Sequence, residues 1–214
     1  MKSIRDLPEE IPIFPLSNFI FFPGTTVPLN IFEPRYLQMI NDSIKSNRLI
    51  GMIQPKTSDG STRPDLYNVG CLGKITSFNE TEDGMYIIIL KGVCRFNILN
   101  EISSTKLYRK CKISYEKFSR DLFDKKENIN FSDLKLIFKD LKDFFEKKGY
   151  TINWSELKNE ELSQTINTIS MASPFSLEEK QVLLETNDIK SRKSKLEEIL
   201  KNYILDKFRN TTLQ

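Results

Sequence analysis

Residues 11–40 read IPIFPLSNFIFFPGTTVPLNIFEPRYLQMI. Two extended segments, a tight turn and a helix start fall within this one stretch, and their order decides the fold class. Pro12 and Pro15 confine residues 11–16 to an edge or entry strand, because proline cannot donate to a ladder. Phe22-Pro23-Gly24 is a turn: proline presets φ, and glycine permits a positive φ. Residues 27–31 form a second short strand. Pro34 then occupies the first position of a helix, where its missing N–H is not needed, with Glu33 near the positive end. That helix buries Leu37, Ile40 and Ile44 and frays near Asn47. Glu33 and Arg35 lie too close in sequence to stack on one helix face, so each is expected to bind backbone or a distant partner. Phe19, Phe21 and Phe22 crowd a tight turn and cannot all face one side of a strand. At least one is therefore expected to be partly exposed. With Phe32 they are the candidate peptide-binding residues, since exposed aromatic rings mark binding surfaces.

Outward from this stretch, the first half of the chain continues as short strands. Residues 49–54 form a third, and TSDGSTRP (57–64) is a loop. Residues 69–78 form a strand in which Gly70 and Gly73 mark a bulge or a close backbone approach. ETEDG (80–84) is a hairpin turn ending in Asp-Gly, and residues 85–90 follow as a continuously apolar, buried strand. Residues 94–99 and 111–118 bring the number to about six or seven, enough for an open or closed barrel, whose closure removes exposed edges. Near Glu116 the character changes. Glycine and proline nearly vanish, and a 3.6-residue period takes over. Leu134, Ile137, Phe138, Leu141, Phe144 and Phe145 share one helix face, ended by Gly149. Ser155 caps a helix through Leu162, Ile166 and Ile169 to about Ala172, stopped by Pro174. Ser176 and Glu179 make a capping box, and a last helix starts near Ser191. Strands followed by helices argue an α+β chain, with a β-rich subdomain over 1–118 and a helical one over 119–214.

Composition removes most chemistry. The 214 residues include no histidine, which excludes His-based nucleophile systems, His-ligated metals and imidazole acid-base catalysis. Cys71, Cys94 and Cys111 form no Cys-x-x-Cys pair and sit among apolar residues, so they read as buried, reduced thiols. No phosphate-binding glycine loop is present, and no metal, nucleotide or other cofactor is expected. The net charge is +3, with 14 basic and 12 acidic residues through Glu116 and 18 and 17 after it. Neither half carries an excess that points to nucleic acid or a membrane surface. No apolar run approaches the ~18 residues of a membrane span, and the N-terminus is not a signal peptide. The chain reads as soluble and cytoplasmic.

The order FPL, FPG and IFEPRY within residues 11–40 resembles the opening of the Lon protease N-terminal, substrate-binding domain. The resemblance continues through Tyr67-Asn-Val-Gly70, Gly73-Lys-Ile75, Asp83-Gly84, Leu90-Lys-Gly92, Arg95-Phe96, Ile169-Ser-Met-Ala-Ser-Pro174-Phe and Glu179-Lys180-Gln181, about residues 10 to 205. Asn30 departs from it, standing where relatives often have histidine. The resemblance implies a β-rich PUA-like pseudo-barrel followed by a C-terminal helical bundle. It also implies a non-catalytic module that binds unfolded or partner protein segments. Full Lon proteases continue into ATPase and Ser/Lys peptidase domains; this chain ends at Gln214 and reads as the recognition domain without them. A peptidase-associated activity and RNA binding through the barrel are the alternatives; the balanced charge argues against the second. The working surface is expected on the β-rich part. On this reading, Phe21→Ser with Phe22→Ser weakens binding to an unfolded protein and leaves the melting temperature nearly unchanged.

Overall fold

The computed structural model describes residues 4–17, 19–56, 63–123, 139, 141–142, 144–146, 149 and 161–211. Six strands and one helix come first: β1 (Glu10–Pro15), β2 (Thr26–Ile31), α1 (Pro34–Ile44), β3 (Leu49–Ile53), β4 (Val69–Glu80), β5 (Tyr86–Ile102) and β6 (Arg109–Ser114). The sheet order is β2-β5-β4-β3-β1-β6, and β5 also pairs with β6. Strands β5, β4, β3, β1 and β6 therefore close into a ring, while β2 is paired on one side only, against β5. Among the described residues, only the β1–β3 pairing is parallel. Ile11 and Ile13 of β1, Leu72 of β4, Phe96 of β5 and Ile113 of β6 alternate inward and join one buried cluster.

The FPG turn forms as its residues dictate. Gly24 has φ +80°, and the Thr25 N–H donates to the Phe22 carbonyl at 3.3 Å, as a type II turn requires. The turn is stitched to the middle of β5: Gly24 N–H donates to the Gly92 carbonyl at 3.1 Å, and Gly92 N–H to the Thr25 carbonyl at 2.8 Å. A Cβ on Gly92 would lie 2.1 Å from the Phe22 carbonyl oxygen, so only glycine fits this crossing.

Strand β5 departs from expectation twice. The two expected strands are one of 17 residues. Slips in the β4–β5 register at Leu72/Gly73 and Ile75/Ser77 absorb the irregularity that the sequence suggested as a break. Residues 86–90 are also not continuously buried: Tyr86, Ile88 and Leu90 point inward, Ile87 and Ile89 outward.

The last strand ends early as well. After Ser114 the chain turns into a short 3-10 segment, Glu116–Leu122, kinked at Phe118. Phe118 is buried beneath the Arg95 guanidinium, 4.2 Å from its ring. The Asp121 carboxylate accepts from Arg95 backbone N–H at 3.0 Å, Nε at 2.8 Å and Nη2 at 2.7 Å. This clasp keeps the segment with the strands. By its internal contacts the chain divides into compact units at 1–125 and 126–214.

In the second unit, Leu141, Phe144 and Phe145 are buried and Gly149 has φ +75°. Leu134, Ile137, Phe138 and Ser155 lie outside the described residues. Helix α2 (Leu162–Ala172) begins after an extended Glu161. The capping box at α3 (Leu177–Glu185) forms in both directions: Ser176 N–H donates to Glu179 Oε2 at 2.8 Å, and Glu179 N–H to Ser176 Oγ at 3.2 Å. Helix α4 (Ile189–Thr211) starts two residues earlier than its stripe suggested, because Asp188 accepts from Ser191 N–H at 2.8 Å. The helices bury Ile166, Ile169, Leu183, Leu184, Leu196 and Leu200, beside Phe175, whose ring stacks with those of Phe144 and Tyr203. Among the described residues, no helix is long and apolar enough to cross a membrane.

Candidate peptide-binding surface

The four candidate phenylalanines separate. Phe21 and Phe22 are 2% and 0% exposed: their rings are core, and they offer nothing to a ligand at the surface. The stitch between the FPG turn and Gly92 presses this segment onto β5 and explains their burial. Phe19 is half-buried, with its ring 6.4 Å from that of Phe21. Phe32 is 64% exposed just beyond β2, and among the described residues no ring contact joins it to the others.

A different set of apolar side chains accompanies Phe32. Ile87 and Ile89 of β5 are 40% and 38% exposed, and Met85 just before the strand is 37% exposed. Asn30 of β2 lies opposite Ile87 and Pro28 opposite Ile89, so these residues share one face. The result is an apolar strip along the outer face of the β2–β5 pair, beside the free edge of β2. Pro28 sits on that edge without an N–H to donate, which limits pairing along the whole strand. A signal for this strip emerges only once the strands are paired. Across β5 stand Ser77 and Asn79, opposite Ile89 and Ile87, and their polarity marks the same face as outward.

The FEPRY motif has a structural account. Tyr36 packs on Phe14 with ring centroids 4.3 Å apart and donates to the Pro15 carbonyl at 3.3 Å, docking α1 on the end of β1. Arg35 pairs with Glu33 itself, Nη2 to Oε2 at 2.8 Å, rather than with a distant partner. Glu33 precedes the helix in extended conformation, and this lets its side chain turn back.

The three thiols are buried, and burial pushes Cys94 up to about 12 and Cys111 up to about 11. Among the described residues, no group of three potential ligands gathers to hold a metal. In the native protein at pH 8, none of the three cysteines should react with a thiol reagent within minutes, and all three should react in guanidinium. Rapid native labelling of even one would place that thiol at the surface.

Among the described residues, a closed ring of five strands with one edge strand carries this exposed apolar strip. The chain matches the family described as the ATP-dependent protease La (LON) substrate-binding domain over residues 10–202, and it belongs to that family. It is 30% identical over 199 residues to Lon protease of Parabacteroides distasonis, covering 91% of this chain and 24% of the relative. It is 24% identical over 206 residues to Lon protease of Dictyoglomus thermophilum, covering 92% and 25%. The chain thus spans about a quarter of the length of these relatives. In three dimensions it is similar to a Lon N-terminal domain protein from Xanthomonas campestris (TM-score 0.64, 21% identity, 87% of this chain and 96% of that one). The N-terminal domain of a Mycobacterium avium complex Lon protease is also similar (TM-score 0.61, 16% identity, 90% and 98%).

Proposed function

We propose that this chain is a non-catalytic recognition module that binds exposed apolar segments of unfolded or partner proteins, in the cytoplasm. The observation that supports it is the strip of Phe32, Met85, Ile87 and Ile89 beside the unpaired edge of β2. An extended segment can add backbone hydrogen bonds to such an edge and set alternate side chains on the strip. Phe19 stays in the proposal as a half-buried contributor; Phe21 and Phe22, buried in the core, drop out of it.

The test uses reduced, carboxymethylated α-lactalbumin as a permanently unfolded probe. Phe32→Ser with Ile87→Ser should weaken binding about tenfold, or about 1.4 kcal/mol, with little change in melting temperature. Unchanged binding by a folded variant would move the surface elsewhere. Casein incubated with the protein and ATP–Mg²⁺ should remain intact; its cleavage would overturn the non-catalytic reading.

A further inference from the structure

The first unit contains a cleft of about 500 Å³ that the apolar strip does not use. It opens where the end of β1, the first turn of α1 and the loop joining β5 to β6 meet. Arg35, Arg63, Lys106 and Arg109 line it, and no acidic residue is among its described lining residues. The carboxylates that pair with these cations are not among that lining. Glu101 holds Arg109, Nη2 to Oε2 at 2.6 Å, and also Arg63; Asp42 holds Lys106 at 2.9 Å; Glu33 holds Arg35.

These acids fix the cations without cancelling the cleft's polarity. Four positive groups line the cleft against three carboxylates outside its described wall. Arg35 and Lys106 are 48% and 44% exposed, so they keep donors available to a ligand. Lys106 and Tyr108 hydrogen-bond Asp42 and hold its carboxyl below the usual range. Burial opposes ionisation of Glu101, yet hydrogen bonds from Arg109 and Arg63 outweigh it and lower that pKa too. A lowered folded-state pKa gives stabilisation that is complete above the unfolded value and lost as pH falls through the folded one. The frame is therefore intact at neutral pH.

The remaining walls select the kind of anion. Tyr36 and Tyr108 present rings, their hydroxyls already bonded to the Pro15 carbonyl and to Asp42. Pro15, Pro55, Pro64 and Leu107 add apolar surface. The volume lies within the ~300–1,000 Å³ typical of sites for organic ligands and exceeds what a small inorganic ion fills. Arg35 also stands only three residues after Phe32, so cleft and strip are neighbours along the chain.

We infer that this cleft binds the carboxylate side chains of an acidic peptide segment, giving the module a preference for apolar stretches flanked by Asp or Glu. This rests on the peptide-binding reading above.

The test is fluorescence anisotropy with three labelled 12-residue peptides that share one apolar core and carry flanking Glu, Gln or Lys. The Glu peptide should bind about tenfold more tightly than the Gln peptide, and the Lys peptide most weakly. Added salt should erode the Glu advantage. In Arg35→Gln with Lys106→Gln, the Glu peptide should fall to the affinity of the Gln peptide, whose own binding stays unchanged. Equal binding of Glu and Gln peptides to the wild type overturns the cleft assignment while the strip stands, and needs no variant to fold. A folded variant that keeps the preference overturns it as well. If no peptide binds, the peptide reading falls and takes this inference with it. Calorimetric binding of inorganic tripolyphosphate more tightly than the Glu peptide would assign the cleft to a free anion instead.

Discussion

The double variant Phe21→Ser, Phe22→Ser is expected to lose its cooperative melting transition. Both rings are almost fully buried, and removing a buried phenylalanine costs about 3–5 kcal/mol each. Serine adds a hydroxyl that needs a partner. The two sites are adjacent, so the costs are not strictly additive, but roughly 6 kcal/mol or more stands against a total of ~5–15 kcal/mol for a typical domain. Circular dichroism and thermal scans check this, with Phe32→Ser as the folded control. A double variant that melts like wild type would show the rings to be peripheral and return them to the binding surface.

Asp121→Ala should be the most damaging single change among the ionic residues. The Arg95 side chain is 2% exposed and that of Asp121 11%, so the variant strands a guanidinium inside the protein without its carboxylate. Breaking such a pair costs about 3–5 kcal/mol, which lowers the melting temperature by roughly 10–20 °C in a unit of this size. Asp121→Asn keeps an acceptor and should lose about half as much. Arg95→Met with Asp121→Leu removes both charges and should melt above Asp121→Ala, because no uncompensated charge remains. If it melts lower, packing of the guanidinium on Phe118 matters more than its charge.

Features set by local backbone chemistry were legible in the sequence. Pro23-Gly24 specifies a turn through φ alone, Pro34 a helix start, and Ser176 with Glu179 a reciprocal cap. The chain's α+β class followed from the change of period near Glu116. Features that depend on which strand lies over which were not legible. The run Tyr86 to Leu90 is apolar at every position, so periodicity cannot show that Ile87 and Ile89 face outward. Only pairing with Ser77, Asn79, Pro28 and Asn30 reveals it. Burial of Phe21 and Phe22 depends on the crossing at Gly92, about seventy residues away in sequence. The cleft is less visible still: Arg35, Arg63, Lys106 and Arg109 have no helical or strand spacing in common, and closure of the ring gathers them.

That closure carries a temporal consequence. Strand β1 has Glu10 opposite Lys112 and Ile11 opposite Cys111, and Tyr115 donates to the Pro8 carbonyl at 2.8 Å. The first-made strand of this unit, β1, therefore waits for almost all of the unit to be synthesised before gaining its antiparallel neighbour. Contacts of such long sequence separation make folding slow and leave strand edges uncovered meanwhile. The nascent first hundred residues resemble, for that interval, the kind of unfolded segment the finished domain is proposed to recognise.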